Sequence, residues 1–348
     1  MKKSLVALAV LAASGAAMAQ SSVTLFGIVD AGFTYAKSSG SDSVYGLTNS
    51  GNATSRLGFR GVEDLGGGLK AGFWLEGAIQ NDDGTASGGG AGGPGFEFKR
   101  RSTVSLMGNF GEVRLGRELT TAYNEMIQYD VFGQVGIGQS LAYGKLGSPT
   151  RVSNMISYYT PALSGFKAGI NYGFGEKAGD NSANRYIGAS VGYANGPLSV
   201  TFAADQLNDA VVATVATDNV RSYALGASYD FGAAKVLGYV RQQRDKFAGN
   251  TTKFNAGGLG VSAPVGAAGE VRAAYNFYDV KGVEGKAHQL SLGYVHNLSK
   301  RTALYGTYAY LKNKSDEQFS VGANGLGIPA PAGGKAQNAL TVGVRHAF

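Results

Sequence analysis

The sequence predicts an all-β protein, an antiparallel transmembrane β-barrel of about sixteen strands with a long extracellular loop folded into its lumen. Two observations predict this fold. Short segments that alternate apolar and polar residues recur to the end of the chain, and the joins between them alternate between tight turns and longer polar loops. Membrane barrels have an even number of strands, with short turns at one end and long loops at the other.

The amino-terminal residues 1–19 have the pattern of a secretory signal peptide. A charged start precedes an apolar run, and small residues end at Ala19. That order of regions is typical of a cleaved export signal. We therefore expect Gln20 to begin the mature chain, and residues 20–348 to form a single barrel domain.

Composition excludes several classes of function. The chain has no cysteine, so disulfides and thiolate chemistry are ruled out. Its formal net charge of +7 is well short of the balance of a nucleic-acid-binding protein, so no nucleic-acid partner is expected. No apolar run beyond the export signal approaches the ~20 residues that a membrane-spanning helix needs.

The alternation has one apolar and one polar face. Val23, Leu25 and Val29 share a face near the start, whereas Arg272 and Asn276 lie on the polar face of a later segment. A soluble sandwich would alternate too, and a soluble enzyme of this size usually contains helices, so many repeats without an amphipathic helix favour the membrane barrel. The later segments span 166–174, 186–193, 198–204, 222–229, 236–241, 271–278, 289–295, 302–311 and 339–348.

One stretch, about 118–149, breaks the alternation. Tyr123, Tyr129 and Phe132 make it too apolar for a solvated linker. Loops of this length in compact proteins are usually functional or disordered. We expect this one to fold inside the barrel and to narrow the lumen.

Several stretches resemble the Gram-negative general porins of the betaproteobacterial type. They are SSVTLFGIVDAG, SRLGFRGVEDLGGGLKAGFWLE, GEVRLGRELT, SYYTPALSGF, LSKRTALYGTYAYLKN and the terminal VGVRHAF. The resemblance implies a homotrimer in the cell outer membrane, in contact with outer-membrane lipid and lipopolysaccharide. It also implies that the third extracellular loop is the constriction, and that small hydrophilic solutes and inorganic anions diffuse through passively.

The resemblance further implies a ladder of arginines that faces acidic groups on the inward loop. By local match the basic wall comprises Arg56, Arg60, Arg100, Arg101, Arg117 and Arg151, and the acidic side comprises Glu118, Glu125 and Asp130. The parity of Val104 and Leu106 directs Arg101 inward, whereas the family pattern favours Arg100; both remain open. Because arginines outnumber the acids, an anion preference is expected. The aromatic terminus, Phe348, is expected to be the signal for barrel assembly.

A substrate-specific anion channel of the same fold remains the alternative. The segment GASVG and the glycine run 88–93 match a nucleophile elbow and a dinucleotide-binding pattern, but neither sits between a strand and a helix as that chemistry requires. Three scattered histidines do not make a zinc site. We therefore expect no enzyme, cofactor or metal centre. A purely structural barrel of this strand number would need a segment that plugs its lumen, and the sequence contains no segment of that size.

Overall fold

The computed structural model describes residues 22–85, 95–143, 149–212, 215–281 and 285–348. The expected export signal, with Ala19 and Gln20, lies outside the described residues, and so does the glycine run 88–93. The expected inward loop is described except for residues 144–148.

The described chain is built almost entirely of strands. Its first strands are β1 (Ser22–Ser38), β2 (Ser43–Asn49), β3 (Arg56–Gly66), β4 (Leu69–Ala78), β5 (Arg101–Gly108), β6 (Gly111–Leu119), β7 (Arg151–Tyr159), β8 (Phe166–Gly173) and β9 (Tyr186–Asn195). They are followed by β10 (Leu198–Asn208), β11 (Val211–Val212), β12 (Val215–Ala216), β13 (Asn219–Asp230), β14 (Lys235–Phe247), β15 (Asn250–Val265), β16 (Gly269–Lys281), β17 (Gly285–Asn297), β18 (Thr302–Lys314) and β19 (Ala336–Ala347). Between β6 and β7 lie one short helix, α1 (Thr121–Met126), and a 3-10 turn (Ile127–Tyr129).

The strands close into a 16-stranded antiparallel barrel, as predicted. The seam is the pairing of β1 with β19, in which Ile28 lies opposite Ala347. Both β2 and β3 pair with β1, on successive lengths of it, so together they form one barrel strand. The two-residue strands β11 and β12 form a separate hairpin in the connection between β10 and β13.

Side chains alternate between the two faces of the barrel wall. On β18, Leu304, Tyr308 and Tyr310 are exposed on the outside, whereas Tyr305 and Thr307 are buried on the inside. Alternate residues of a closed barrel must face opposite sides, so the exposed apolar set forms the lipid-facing band. No helix in the described ranges is long and apolar enough to cross a membrane.

The two ends of the barrel differ in their connections. At one end, here called the short-turn end, the joins are brief, as at 67–68, 196–197 and 231–234. At the other, the long-loop end, lie longer segments, including 120–150 and 315–335. Long loops face outward from the cell in such barrels, which orients the chain in its membrane.

The buried core lies inside the barrel rather than between layers. Segment 121–143 contributes Met126, Tyr129 and Ile137, and segment 315–335 contributes Phe319 and Val321. They pack against inward-facing side chains of the wall, among them Phe254, Tyr278 and Leu311. Both segments therefore pack against inward-facing side chains of the wall.

Candidate functional site

A cavity of about 430 Å³ inside the barrel is lined by a dense group of charged side chains. Its ionised side chains are five guanidiniums and two carboxylates, a net excess of three positive charges: Arg56, Arg100, Arg101, Arg114, Arg151, Glu76 and Glu118. Arginine keeps its charge at any pH the channel meets. The cavity is therefore electropositive.

Glu76 on β4 holds one group of these arginines in place. Its carboxylate is 6% exposed and accepts a hydrogen bond from Arg100 Nε at 2.6 Å. Arg56 Nη1 lies 3.5 Å from the same oxygen, and Trp74 Nε1 donates to the other oxygen at 3.1 Å. One carboxylate thus orients two guanidiniums, which fixes their positions without neutralising both.

Both Arg100 and Arg101 line the cavity. Arg101 begins β5 directly opposite Glu76, on the inward face that Thr103 continues. Arg100 precedes the strand, and its backbone N–H donates to the carbonyl oxygen of Glu76. Because alternation holds only within the strand, consecutive residues at its start can point the same way.

Arg151 contributes charge without a carboxylate of its own. At the start of β7 its Nε donates to the carbonyl oxygen of Arg100 at 3.0 Å. Within the described ranges no carboxylate oxygen lies within 4.0 Å of its guanidinium. Arg56, Arg100 and Arg151 therefore share the single countercharge of Glu76.

Around Glu118 the positive and negative charges are more nearly equal in number. Glu118 Oε2 accepts from Arg114 Nη1 at 2.7 Å and lies 3.1 Å from Arg101 Nε. Arg114 also forms a bidentate pair with Glu112, at 2.9 and 3.0 Å. Arg114 was not among the predicted arginines. Glu118 was expected on the loop, but it lies in strand β6. The bulged β6 continues to Leu119, so the irregular stretch begins just after the expected position near 118.

Two further predicted arginines lie at different places. Arg60 stacks on Trp74, with its Cζ 5.0 Å from the ring centre, in a second cavity of about 420 Å³ that continues toward the short-turn end. Arg101 and Arg114 line both cavities. Arg117 instead lies opposite Ser102 on the outward parity and donates to Lys99 O and Ser153 Oγ. It is not part of the cavity lining, because the alternation along β6 places it, like Leu115, on the outer side of the wall.

The two loop acids do not contact the basic cluster. Glu125 on α1 lines a separate cavity of about 330 Å³ together with Lys167. Asp130 is buried and accepts hydrogen bonds from the backbone of Phe132 and Ser140 and from Gln134 Nε2, at 2.6–2.9 Å. Its carboxylate holds the turns of the loop together. The expected acidic face is therefore supplied by Glu76 and Glu118, which are wall residues.

Inward-facing side chains of the opposite wall hold segment 121–143 by its backbone. Asp205 accepts from Ala122 N–H at 2.8 Å, and Tyr278 Oη accepts from Leu141 N–H at 2.9 Å. Buried Arg241 donates to the carbonyl oxygen of Ala142. These contacts come from β10, β14 and β16, so the segment is tied to the wall that faces the arginines.

Inward glycines make room for the ring side chains of the segment. A methyl group at Gly226 would overlap the ring of Tyr129, and one at Gly293 would overlap the ring of Phe132. Tyr129 Oη also hydrogen bonds to Ser199 and Thr201 at 2.9 and 2.8 Å. The apolar residues noticed in the sequence are therefore anchors.

The last long connection also reaches the site. Asn324 lines the basic cavity, and its carbonyl oxygen accepts from Asn49 N–H at 2.9 Å. Phe319 anchors this connection by packing on Phe254 and Tyr278, with ring centres 6.0 and 5.3 Å apart. Nothing local in the sequence marks Asn324, because its place depends on contacts far along the chain.

A closed barrel with an apolar outer band and a charged inner cavity defines a membrane channel. The chain belongs to the Gram-negative porin family, whose model matches residues 4–316. It is 53% identical over 360 residues to outer membrane porin protein 32 of Delftia acidovorans, with 100% of both chains covered. It is also 36% identical to an outer membrane porin protein of Bordetella pertussis, over 90% of this chain and 95% of the other.

A solved structure is equally similar. The barrel superposes on an anion-selective porin from Comamonas acidovorans with a TM-score of 0.86 and 51% identity, covering 94% of this chain and 100% of that one. The predicted family and barrel are confirmed, and the protein is a passive diffusion channel of the Gram-negative outer membrane.

Proposed function

We propose that the channel prefers anions, and that the arginine cluster at its narrowest level is the reason. The observation that carries this proposal is the grouping of Arg56, Arg100 and Arg151 around the single carboxylate of Glu76. Permeant species are small hydrophilic solutes and inorganic anions. The solved relative from Comamonas acidovorans, which is described as anion-selective, supports the same reading.

The physical argument is electrostatic. Two unit charges ~8 Å apart interact at about 2 kcal/mol when the effective dielectric constant is near 20. Clustered fixed charges in a cleft with low-dielectric walls raise the local concentration of counter-ions. The unbalanced guanidiniums therefore stabilise an anion at this level by an energy of order 1 kcal/mol or more, and they disfavour a cation by a similar amount.

Segment 121–143 is the proposed constriction loop. It is held against the wall opposite the arginines by Asp205, Tyr278 and Arg241, and its residues Tyr123, Ile127 and Gln134 line the basic cavity. A solute passing the arginines must therefore pass between them and this segment. The width of the channel and the electric field of the arginines therefore act on a solute at the same depth in the lumen.

The proposed assembly is a homotrimer in the outer membrane, surrounded by outer-membrane lipid and lipopolysaccharide. Family membership supports it, and so does a mainly apolar hollow of about 220 Å³ on the outer face of β1, β3, β4 and β5, lined by Val23, Phe73 and Val104 among others. Chemical cross-linking of the detergent-extracted protein tests it. A ladder that stops at the monomer would contradict it.

Single-channel currents in a salt gradient test the anion preference. With KCl on both sides at different concentrations, the sign of the reversal potential reports whether chloride or potassium passes more easily. We expect a potential near that of chloride at low salt, decreasing as salt rises because the Debye length falls from ~10 Å at 0.1 M to ~3 Å at 1 M. A reversal potential of the opposite sign would refute the proposal. Saturation of the current by one organic anion would instead favour the substrate-specific alternative.

A further inference from the structure

A row of cations crosses the outer face of the barrel near the long-loop end. In the register of four neighbouring strands, Arg221 lies opposite Arg244, Arg244 opposite Lys253, and Lys253 opposite Lys281. All four side chains are exposed. They point away from the lumen, so they have no part in the site described above.

The row has few countercharges of its own. Lys281 Nζ pairs with Asp279 at 2.6 Å. Among the described residues, Arg221 and Arg244 donate to neutral amides, those of Gln206 at 2.7 Å and Gln242 at 2.5 Å. In the part of the chain that the structure describes, no carboxylate lies within 4.0 Å of Arg221, Arg244 or Lys253. Like charges directly opposite each other destabilise a sheet, so an external anion would relieve the repulsion.

The row lies immediately beyond an aromatic and aliphatic surface. Tyr223 is two residues from Arg221 on the same face, and its ring lies 5.5 Å from Arg244 Cζ. Phe202, Leu225 and Val240 follow, 45%, 46% and 54% exposed. Aromatic side chains mark the membrane interface of such barrels, so the cations stand at the level of the lipid headgroups.

A groove joins the two surfaces. It has a volume of about 520 Å³ and runs over the outer face of β10 and β13–β16. Arg244, Gln242 and Asn255 line its polar part, and Phe202, Leu225, Val240 and Phe277 line its apolar part. A molecule that fills it must be anionic at one end and aliphatic at the other.

We propose that this groove binds a phosphorylated lipid of the outer leaflet, of the lipopolysaccharide class. Its phosphates lie between the guanidiniums of Arg221 and Arg244 and the ammonium of Lys253, and one acyl chain lies along Leu225 and Val240. Guanidiniums bind phosphate with charge-assisted hydrogen bonds, and bilayer surfaces present such anions just beyond the aromatic level. This inference rests on the proposed lipid surroundings of the barrel, and not on the anion preference of the pore.

Charge removal tests the site. The variant Arg221→Gln/Arg244→Gln/Lys253→Gln is compared with Lys235→Gln/Lys300→Gln/Arg301→Gln, which removes the same number of cations at the short-turn end. The purified barrel in neutral detergent is titrated with bisphosphorylated lipid A and with dephosphorylated lipid A, and bound lipid is counted by native mass spectrometry. We expect binding of the phosphorylated probe to weaken roughly tenfold or more in the first variant and to stay unchanged in the second.

The pore provides an independent check on folding. The first variant should keep the reversal potential and conductance of the wild type, because its substitutions lie outside the lumen. Should the triple variant fold poorly, Arg244→Gln alone carries the comparison. The proposal would be overturned if the triple variant, or Arg244→Gln alone, bound phosphorylated lipid A as tightly as the wild type does. Equal binding of phosphorylated and dephosphorylated lipid A to the wild type would also overturn it, whatever the selectivity of the pore.

Discussion

Arg100 is held to Glu76 twice, once by its side chain and once by its backbone. Its Nε lies 2.6 Å from the Glu76 carboxylate, and its backbone N–H donates to the Glu76 carbonyl oxygen at 3.0 Å. The guanidinium is therefore fixed at the lumen wall although it precedes strand β5. The same carboxylate serves Arg56, and Arg151 is tied to the carbonyl oxygen of Arg100. A single glutamate thus organises a cluster of greater opposite charge.

Removing two arginines of this cluster should reduce the anion preference. We expect Arg56→Ser/Arg151→Ser to shift the reversal potential toward cation preference, with a several-fold change in permeability ratio at low salt that shrinks as salt screens the field. The matched control is Arg221→Ser/Arg244→Ser, which removes two arginines from the outer face. A wild-type reversal potential in the first variant would show that the selectivity lies elsewhere in the lumen.

Removing the carboxylate at the centre should act in the opposite direction. Glu76→Gln keeps a hydrogen-bond acceptor near Arg100 and deletes one negative charge, so the anion:cation permeability ratio should rise several-fold at low salt. Bi-ionic potentials measure the ratio. Glu63→Gln, at an exposed position near the short-turn end, should leave it unchanged. A fall in the ratio for Glu76→Gln would mean that orienting the arginines matters more than the charge balance.

Shortening the inward segment should widen the channel. Deletion of residues 123–138 removes the anchors Tyr129 and Phe132 and the part of the segment that lines the basic cavity, and it removes no barrel strand. We expect single-channel conductance to increase on the order of twofold, since conductance follows the width of the narrowest level. Unchanged conductance in a folded barrel would place the constriction elsewhere.

Acid should strengthen the anion preference through Glu125. Burial, opposed by hydrogen bonds from Asn124 and Ser190, raises the pKa of Glu125 above its ordinary value of 4.5. As pH falls, this carboxylate takes up its proton before an ordinary glutamate does, and the lumen loses one negative charge. Anion preference should therefore begin to rise at a pH above that at which an ordinary glutamate is protonated, and Glu125→Gln should show the higher preference already at neutral pH. Superimposable pH profiles for wild type and variant would contradict this.

Loss of the terminal aromatic should reduce the yield of folded barrel. Phe348 exchanges backbone hydrogen bonds with Gly27 across the seam, at 3.0 and 3.1 Å, and its ring covers that glycine. We expect Phe348→Ser to lower the heat-modifiable, folded fraction in outer membranes severalfold. Phe231→Ser changes another exposed aromatic at the same end and should have little effect. Equal yields from both variants would remove Phe348 from the assembly step.

The barrel itself could be predicted from the sequence because its signal is local and repeated. Alternation with a period of two, tight turns and an apolar last strand each follow from neighbouring residues, and the strands observed, such as Leu198–Asn208, extend the predicted segments by a few residues. The segment between β6 and β7 was recognised because alternation stops there, and the rings of Tyr129 and Phe132 prove to pack against wall residues. The acids of that segment were assigned from family pattern alone.

Which residues line the site depends on contacts between strands, and the sequence around each residue does not show those contacts. Glu76 and Arg114 were missed because each lies in an ordinary strand, and only the register of β4, β5 and β6 brings them together. Parity could not settle Arg100 because alternation has no meaning before a strand begins.

The sequence by itself determined that this chain forms a membrane barrel, since a lipid-facing apolar band requires period-two alternation in every strand. It also determined that positive charge dominates the arginine-rich strands. Only the tertiary structure decided which carboxylates meet those arginines, where the inward segment is held, and that Asn324 joins the cavity. The reason is that each of these contacts crosses the lumen or depends on how one strand is paired with another, and neither strand's own residues show which residue will lie opposite which.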